Sequence, residues 1–584
     1  MSILIEYIRI SGFRGINKLE VPLALNTVLI GPNNSGKTSL LKALQLSIGD
    51  YSRYITDEDY YIDSNGKSVT EIIIDIKIVP LDENKRIANA FSDQWTEHFS
   101  TAIQGDTKQF VALRTSTKRS ILKGHETERF ILTTWMEHEK WAKNEIIKMR
   151  PATKRYESIP FISAEAQRDI HYELKDKNSF IGKILNNVKY TEKETQHLEK
   201  SISDINKNAV DRSAELTNLK THLSHLNESI GGSGHAELTP LPKKIRDLAK
   251  NFSIQYGNDS TTFSMEYHGM GTRSWATLLT AKALINSQAA NYASESKPHF
   301  PILAIEEPEA HLHPNAQKTL YTQLCDSHGQ TFISTHSPYL AAMAKLENIR
   351  CLRMGKGGVT EHHFKYAIKP EERNILARDV LYKRSEILFS NAVLLCEGIT
   401  EEQLLPSMYK ILKRKFLHEN GGACVSVGGP NYGPFIKIAN SFGIPCQILS
   451  DNETSYSTAL KSSIVNLEKE INKKFSEKEL NIAYLSNGND LEAELIQAGL
   501  KSEIIESLVL SAMDGNQNER YREIKTSELT KKTDAEILDL MRNSKASYSG
   551  FLAEVIIRNP NKKTPAQLVP EKVRLALENF SKWL

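Results

Sequence analysis

Asn26-Thr-Val-Leu-Ile30 runs into Gly31-Pro-Asn-Asn-Ser-Gly36-Lys37-Thr38, and Ser39-Leu-Leu-Lys-Ala-Leu-Gln-Leu46 follows. An apolar run, a glycine-rich loop and a helix-forming run in that order predict a strand, a turn and a helix of an α/β fold. The loop matches the pattern GxxxxGK[ST]. Its glycines let backbone N–H groups turn toward a polyphosphate, and the amino terminus of the helix adds its dipole. The predicted cradle is Gly31, Pro32, Asn33, Asn34, Ser35, Gly36, Lys37, Thr38 and Ser39. Lys37 is placed to reach the β- and γ-phosphates, and Thr38 to ligate Mg²⁺.

Two further strands carry chemistry at their carboxyl ends. Pro301-Ile-Leu-Ala-Ile305 ends in Glu306-Glu307-Pro308-Glu309, and Gln330-Thr-Phe-Ile-Ser334 ends in Thr335-His336-Ser337-Pro338. Two consecutive acids suit metal positioning by Glu306 and water activation by Glu307. His336 is placed to sense the γ-phosphate. Upstream, Ile3, Ile5, Ile8 and Ile10 and the run Glu71-Ile-Ile-Ile-Asp-Ile-Lys-Ile-Val79 predict strands, whereas residues 90–160 give no clear assignment.

Between Lys37 and Glu306 the gap is long enough for another domain. Within it, Leu198, Ile202, Ile205, Ala209, Leu216, Leu219, Leu223, Leu226 and Ile230 alternate steps of four and three, missing only at Arg212. A period of about 3.5 residues predicts a coiled-coil seam, and Gly231-Gly-Ser-Gly234 ends it.

A second acidic group lies farther on. The strand Ala392-Val-Leu-Leu-Cys396 runs into Glu397-Gly398-Ile399-Thr400-Glu401, and Pro445-Cys-Gln-Ile-Leu-Ser450 into Asp451-Asn452-Glu453. Carboxylates from neighbouring strand ends suit hard divalent cations, which take oxygen ligands and activate water for phosphodiester cleavage. Asn489-Asp490-Leu491-Glu492-Ala493-Glu494 is open to two readings, an acidic motif of that site or a capped helix start.

Composition narrows the class without deciding it. The 584 residues are 40% hydrophobic and 25% charged, with a net charge of +3, as in an ordinary globular protein of several domains. Any nucleic-acid affinity must therefore come from a local basic groove. The clusters Lys118-Arg119, Lys473-Lys474 and Lys562-Lys563 are compatible with phosphate contacts and are read first as solvated surface. Five cysteines without a CxxC pair argue against zinc and against a disulfide framework. The first residues show no signal-peptide pattern and no apolar run is of membrane-spanning length, so a cytoplasmic location without membrane contact is expected.

The first group of motifs resembles the ATPase head of the ABC class that includes SMC, Rad50 and RecF-like proteins. That resemblance makes Gly31–Thr38 Walker A, Glu306 the Walker B acid, Glu307 the catalytic base and His336 the switch histidine. Tyr267-His-Gly-Met-Gly-Thr-Arg-Ser274 stands where the signature motif would, and Phe161–Asp169 is a candidate Q-loop. Together with EGxxE and the later acids, the chain resembles the OLD (overcoming lysogenization defect) family of ATP-dependent nucleases with a Toprim domain. The resemblance implies metal ligands Glu397, Glu401, Asp451 and Glu453, with Glu397 assisting water attack and Lys545 as a catalytic lysine. The family pattern is DxD; here glutamate closes it, one methylene longer.

The expected architecture is α/β: an ATPase amino-terminal lobe over 1–165, a helical coiled-coil dimerisation arm over 166–245, an ATPase carboxyl-terminal lobe over 246–380, and a Toprim domain with terminal helices over 381–584. The implied activity is an endonuclease using ATP and Mg²⁺ or Mn²⁺, acting on double-stranded DNA as a homodimer or higher oligomer. The implied setting is antiphage defence, beside a helicase or a retron reverse transcriptase with its RNA–DNA hybrid. A non-nucleolytic SMC/RecF-like clamp is the alternative.

Overall fold

The run of alternating isoleucines near the amino terminus must bury one face, and in the computed structural model it does so within an antiparallel sheet. Described here are residues 2–49, 51–120, 124–145, 147–152, 156–164, 182, 190–221, 239, 241, 255–258, 261–264, 267–355, 357–367, 369–452, 454–486, 488–513 and 518–584. Strand Ser2–Phe13 lies between Ile16–Pro22 and Glu71–Leu81, and the sheet continues through Phe110–Ser120, Gly124–Leu132 and Met149–Pro151. Residues 90–160, which the sequence left unassigned, therefore supply much of this sheet. Ile72, Ile74, Ile76 and Ile78 alternate into its core, as a strand with one covered face requires.

The nucleotide loop belongs to a second sheet. Strands Ile349–Gly355, Asn26–Ile30, Gln330–Ser334, Ile302–Glu306 and Phe161–Ala164 run parallel in that order, and Gly358–His363 closes one edge antiparallel. Gly31 follows the Asn26–Ile30 strand, Glu306 closes the Ile302–Glu306 strand, and His336 stands two residues beyond Gln330–Ser334. Helix Lys37–Ile48 is sandwiched between the two sheets: Leu40 and Leu44 share one core with Ile8 and Ile74 on one side and with Ala304 and Phe332 on the other.

Gln330 bolts the sheets together. Its buried side-chain amide accepts from Ile5 N–H at 3.1 Å and donates to Ile5 O at 3.0 Å and Ala24 O at 2.9 Å.

The third sheet is wholly parallel, in the order Gly422–Ser426, Ala392–Cys396, Cys446–Ser450, Leu480–Tyr484. Buried central strands without alternation are what parallel pairing with both faces covered demands. Helices Ile399–Lys413, Lys545–Arg558 and Glu571–Phe580 cover one face, through a core that contains Leu394, Leu404, Leu552 and Leu577. The other face shares a continuous core with the nucleotide sheet, running from Val28 and Ile333 to Val393 and Ile448. At that junction Arg353 donates to Phe442 O at 3.1 Å and to Ser390 O at 2.6 Å.

The expected coiled-coil segment is described in part. The helix Glu192–Asp211 starts at a Thr191–Glu194 capping box and stops at Arg212, the position where the apolar ladder missed. A second helical run covers residues 214–221, and the rest of the ladder lies outside the described residues. Within the first helix Ile202, Asn206 and Val210 are buried while Ile205 is 53% exposed. The buried stripe thus follows steps of four, and Asn206 within it exchanges two hydrogen bonds with the backbone of Leu241, at 2.8 and 2.7 Å.

Gln330→Ala would remove two buried hydrogen bonds to Ile5 and a third to Ala24 O, which keeps Thr27 Oγ1 as a partner. It is expected to cost about 2–4 kcal/mol, read as a lower midpoint for the ATPase transition in calorimetry. An unchanged midpoint would mean that water substitutes for the amide.

Candidate nucleotide and carboxylate sites

Gly31 and Gly36 adopt φ of 140° and 96°, and a Cβ on Gly31 would stand 2.1 Å from the carbonyl oxygen of Leu352. Only glycine fits that turn. Within it Lys37 Nζ donates to Gly31 O and Pro32 O, both at 2.9 Å. Burial pushes this ammonium down to about 8, against the pull of Glu307, Cys351 and Glu309. An anionic ligand in the loop would relieve that cost. Thr38 Oγ1 donates to Glu306 Oε2 at 3.1 Å, so the helix start and the Ile302–Glu306 strand end meet where a Mg²⁺–polyphosphate would need both oxygens.

Glu307 adopts a left-handed φ of 46° and turns into the cleft, 3.8 Å from His336 Nε2. His336 is held by a neighbour that the sequence did not single out: its backbone N–H donates to Glu309 Oε1 at 2.7 Å. Burial, then Lys37, lowers the pKa of the imidazole and favours its neutral form. Asn33, Asn34, Ser35, Gly36, Lys37, Thr38, Ser39, Glu307 and His336 all line one cleft of about 700 Å³. The candidate signature segment opens the helix Met270–Ser294, with Tyr267 79% exposed. The candidate Q-loop residues 165–169 lie outside the described residues.

At the other end of the chain, Glu397 Oε1 accepts from Ser450 Oγ at 2.8 Å and from Asp451 N–H at 3.0 Å. Acids 54 positions apart are thereby joined. Glu401, one turn into the next helix, accepts from Gly398 N–H at 3.1 Å. Burial raises Glu401 to about 7, helped by Glu492 and Glu397. Asp451 is raised to about 8 by burial and then by Glu397, Glu401, Asp490 and Glu492. Glu453 lies outside the described residues.

The motif left open in the sequence does cap a helix. Asp490 caps helix Leu491–Gln497 through Ala493 N–H at 2.9 Å, and its other oxygen accepts from Arg542 Nε at 2.8 Å. Glu492 is buried and accepts from Thr400 Oγ1 at 2.9 Å and Lys545 Nζ at 3.1 Å. Burial opposes the charge on Lys545, but Glu492, Glu401 and Asp490 outweigh it and raise its pKa. Glu494 instead bonds Ser486 and Asn489 and is structural. Asn452, the middle residue of the acid pair, is tied to Leu485 O at 3.0 Å. Sequence reasoning missed Ser450, Thr400 and Arg542; the only signal was their place beside residues already marked.

Among the described residues no three Asp, Glu, His or Cys side chains close round a point fit for a cation. The donor set nonetheless fits a hard divalent ion: burial, and then four neighbouring carboxylates, lift Asp451 far above its ordinary range, and a cation would offset both.

The geometry defines a P-loop ATPase joined to a parallel sheet with acids at its strand ends. The AAA ATPase domain model matches residues 4–341, more than half of the chain. The model of the overcoming lysogenization defect protein-like TOPRIM domain matches residues 388–452. The chain belongs to the OLD-family AAA ATPases that carry a Toprim domain. It is 25% identical over 489 residues to the Old nuclease of Escherichia phage P2, covering 77% of each chain. It is 22% identical to the OLD nuclease of Thermus scotoductus, covering 77% of this chain and 82% of that one. It is 24% identical to the endonuclease GajA of Bacillus cereus, covering 76% and 74%. Among the described residues no helix is long and apolar enough to cross a membrane.

Lys37→Ala is expected to weaken MgATP binding at least about tenfold, the worth of a charged hydrogen bond, in titration calorimetry. A wild-type affinity would remove Lys37 from the nucleotide site.

Proposed function

We propose that this chain is an ATP-regulated, divalent-metal-dependent endonuclease acting on double-stranded DNA. The observation that carries the reading is the pair of hydrogen bonds from Ser450 and Asp451 to one oxygen of Glu397, which set carboxylates from two strand ends beside the Lys545–Glu492 pair. Glu397, Glu401, Asp451 and Glu453 would hold Mg²⁺ or Mn²⁺, which when bound supplies an acidified water and a clamp for the phosphate. Glu397, oriented by Ser450 and Asp451 through one oxygen, would take the water's proton. Lys545, fixed by Glu492, offsets charge on the phosphate oxygens.

At the other site Lys37 and the loop residues Gly31–Ser39 hold the phosphates, Thr38 and Glu306 serve the Mg²⁺, Glu307 takes the proton of the attacking water, and His336 reports the γ-phosphate. The shared core and the Arg353 bonds give the nucleotide sheet a firm purchase on the nuclease half. The proposed assembly is a homodimer or higher oligomer, with residues 166–245 as its arm. Its proposed setting is bacterial antiphage defence beside a helicase or a retron reverse transcriptase with its RNA–DNA hybrid, as the family resemblance implies.

The alternative is a non-nucleolytic, ATP-driven clamp. Nicking of supercoiled plasmid in Mg²⁺ or Mn²⁺ separates the two. Wild type is expected to nick, and Glu397→Ala and Asp451→Ala to lose at least about a hundredfold, the upper end of the cost of removing a metal's supporting group. Equal nicking by all three proteins, or none by any, would sink the nuclease reading.

A further inference from the structure

The carboxylate site has a second cation on its rim that neither the sequence patterns nor the proposed mechanism uses. Arg542 sits in the last turn of helix Asp534–Asn543, and Lys545 opens the next helix. Each cation grips one of the two acids flanking Leu491: Arg542 Nε binds Asp490 at 2.8 Å and Lys545 Nζ binds Glu492 at 3.1 Å. The acids are covered, at 10% and 0% exposure, whereas the cations are 43% and 41% exposed. Each therefore has one side fixed on a buried carboxylate and the other toward solvent.

A guanidinium carries five N–H donors in a planar fork. In Arg542 Nε is engaged by Asp490, and the terminal nitrogens make no hydrogen bond among the described residues. Hydrogen bonding to Asp490, with Glu492 and Asp539 nearby, raises its pKa, so the charge is permanent. A cation complementing the helix dipole would need no such directional anchor. A guanidinium held at Nε with its terminal edge free is suited to two oxygens of one tetrahedral anion.

We propose that Arg542 contacts a backbone phosphate of the DNA, its terminal N–H groups taking non-bridging oxygens while Asp490 fixes its plane. This rests on the nuclease reading above. Arg542 and Lys545 then form a two-point seat for the nucleic-acid strand at the edge of the acids, and loss of Arg542 weakens substrate binding rather than the chemical step alone.

The test uses the full chain and a fluorescent DNA duplex. Binding is measured by anisotropy against salt concentration in Glu397→Ala, Glu397→Ala/Arg542→Ala and Glu397→Ala/Arg542→Lys, so that cutting does not interfere. Arg542→Ala is expected to weaken binding about tenfold to hundredfold and to flatten the plot of log K against log salt by about 0.9, one phosphate contact. Arg542→Lys keeps the charge and is expected to restore the slope, with turnover in the otherwise wild-type chain only partly recovered.

An unchanged slope in the Arg542→Ala protein overturns the proposal even if nicking is lost, because Arg542 would then act only by holding Asp490. Melting curves for both substitutions, with the lysine variant as the gentler change, separate misfolding from lost contact. Nicking by the Glu397→Ala single variant at the wild-type rate would instead defeat the nuclease reading, while the salt slope still decides whether Arg542 touches DNA.

Discussion

Parallel strand pairing is the constraint on which both sites depend. In a parallel sheet all carboxyl ends emerge on one edge, so residues far apart in sequence become neighbours there. Ile305 is registered with Ile333 and Glu306 with Ser334, which leaves Glu307 and His336 beside each other at the same rim. In the last sheet Leu395 is registered with Ile448. Carrying that register two residues onward sets Glu397 against Ser450, the hydrogen bond that is found. A slip of one residue would turn each of these side chains to the opposite face.

The same edge concentrates charge that the protein alone does not neutralise. Lys37 is pushed down to about 8 by burial in the loop, and Asp451 up to about 8 by burial and four other carboxylates. In both places a ligand of opposite charge would be more welcome than water. The two cations near the acids, Arg542 and Lys545, are already committed on one side to Asp490 and Glu492.

Much of this was legible in the sequence because it is local. A run such as Asn26–Ile30 followed by a glycine loop specifies strand, turn and helix within a few residues, and the acids at strand ends announce themselves by the apolar runs before them. What escaped was set by partners from elsewhere in the chain. The ladder beginning at Leu198 marked a helical segment, but not that Asn206 binds Leu241 or that the first helix ends at Asp211. The strands of residues 103–151 carry many polar residues, and they take their identity from Phe110–Ser120 pairing with Glu71–Leu81 on one side and Gly124–Leu132 on the other. The double use of Asp490 was invisible in sequence, because one oxygen caps its own helix while the other accepts from Arg542, 52 positions away.

Gly31 has a bearing on how such a molecule is taken apart by mutagenesis. The loop turn is packed against the carbonyl of Leu352, and the next residue, Arg353, grips the backbone of Ser390 and Phe442 in the nuclease half. A side chain introduced at Gly31 must therefore press on a strand that both halves lean on. Defective cleavage in such a variant would report a displaced beam as readily as an empty nucleotide cleft, whereas Lys37 extends its side chain back into its own loop and can be shortened without touching that wall.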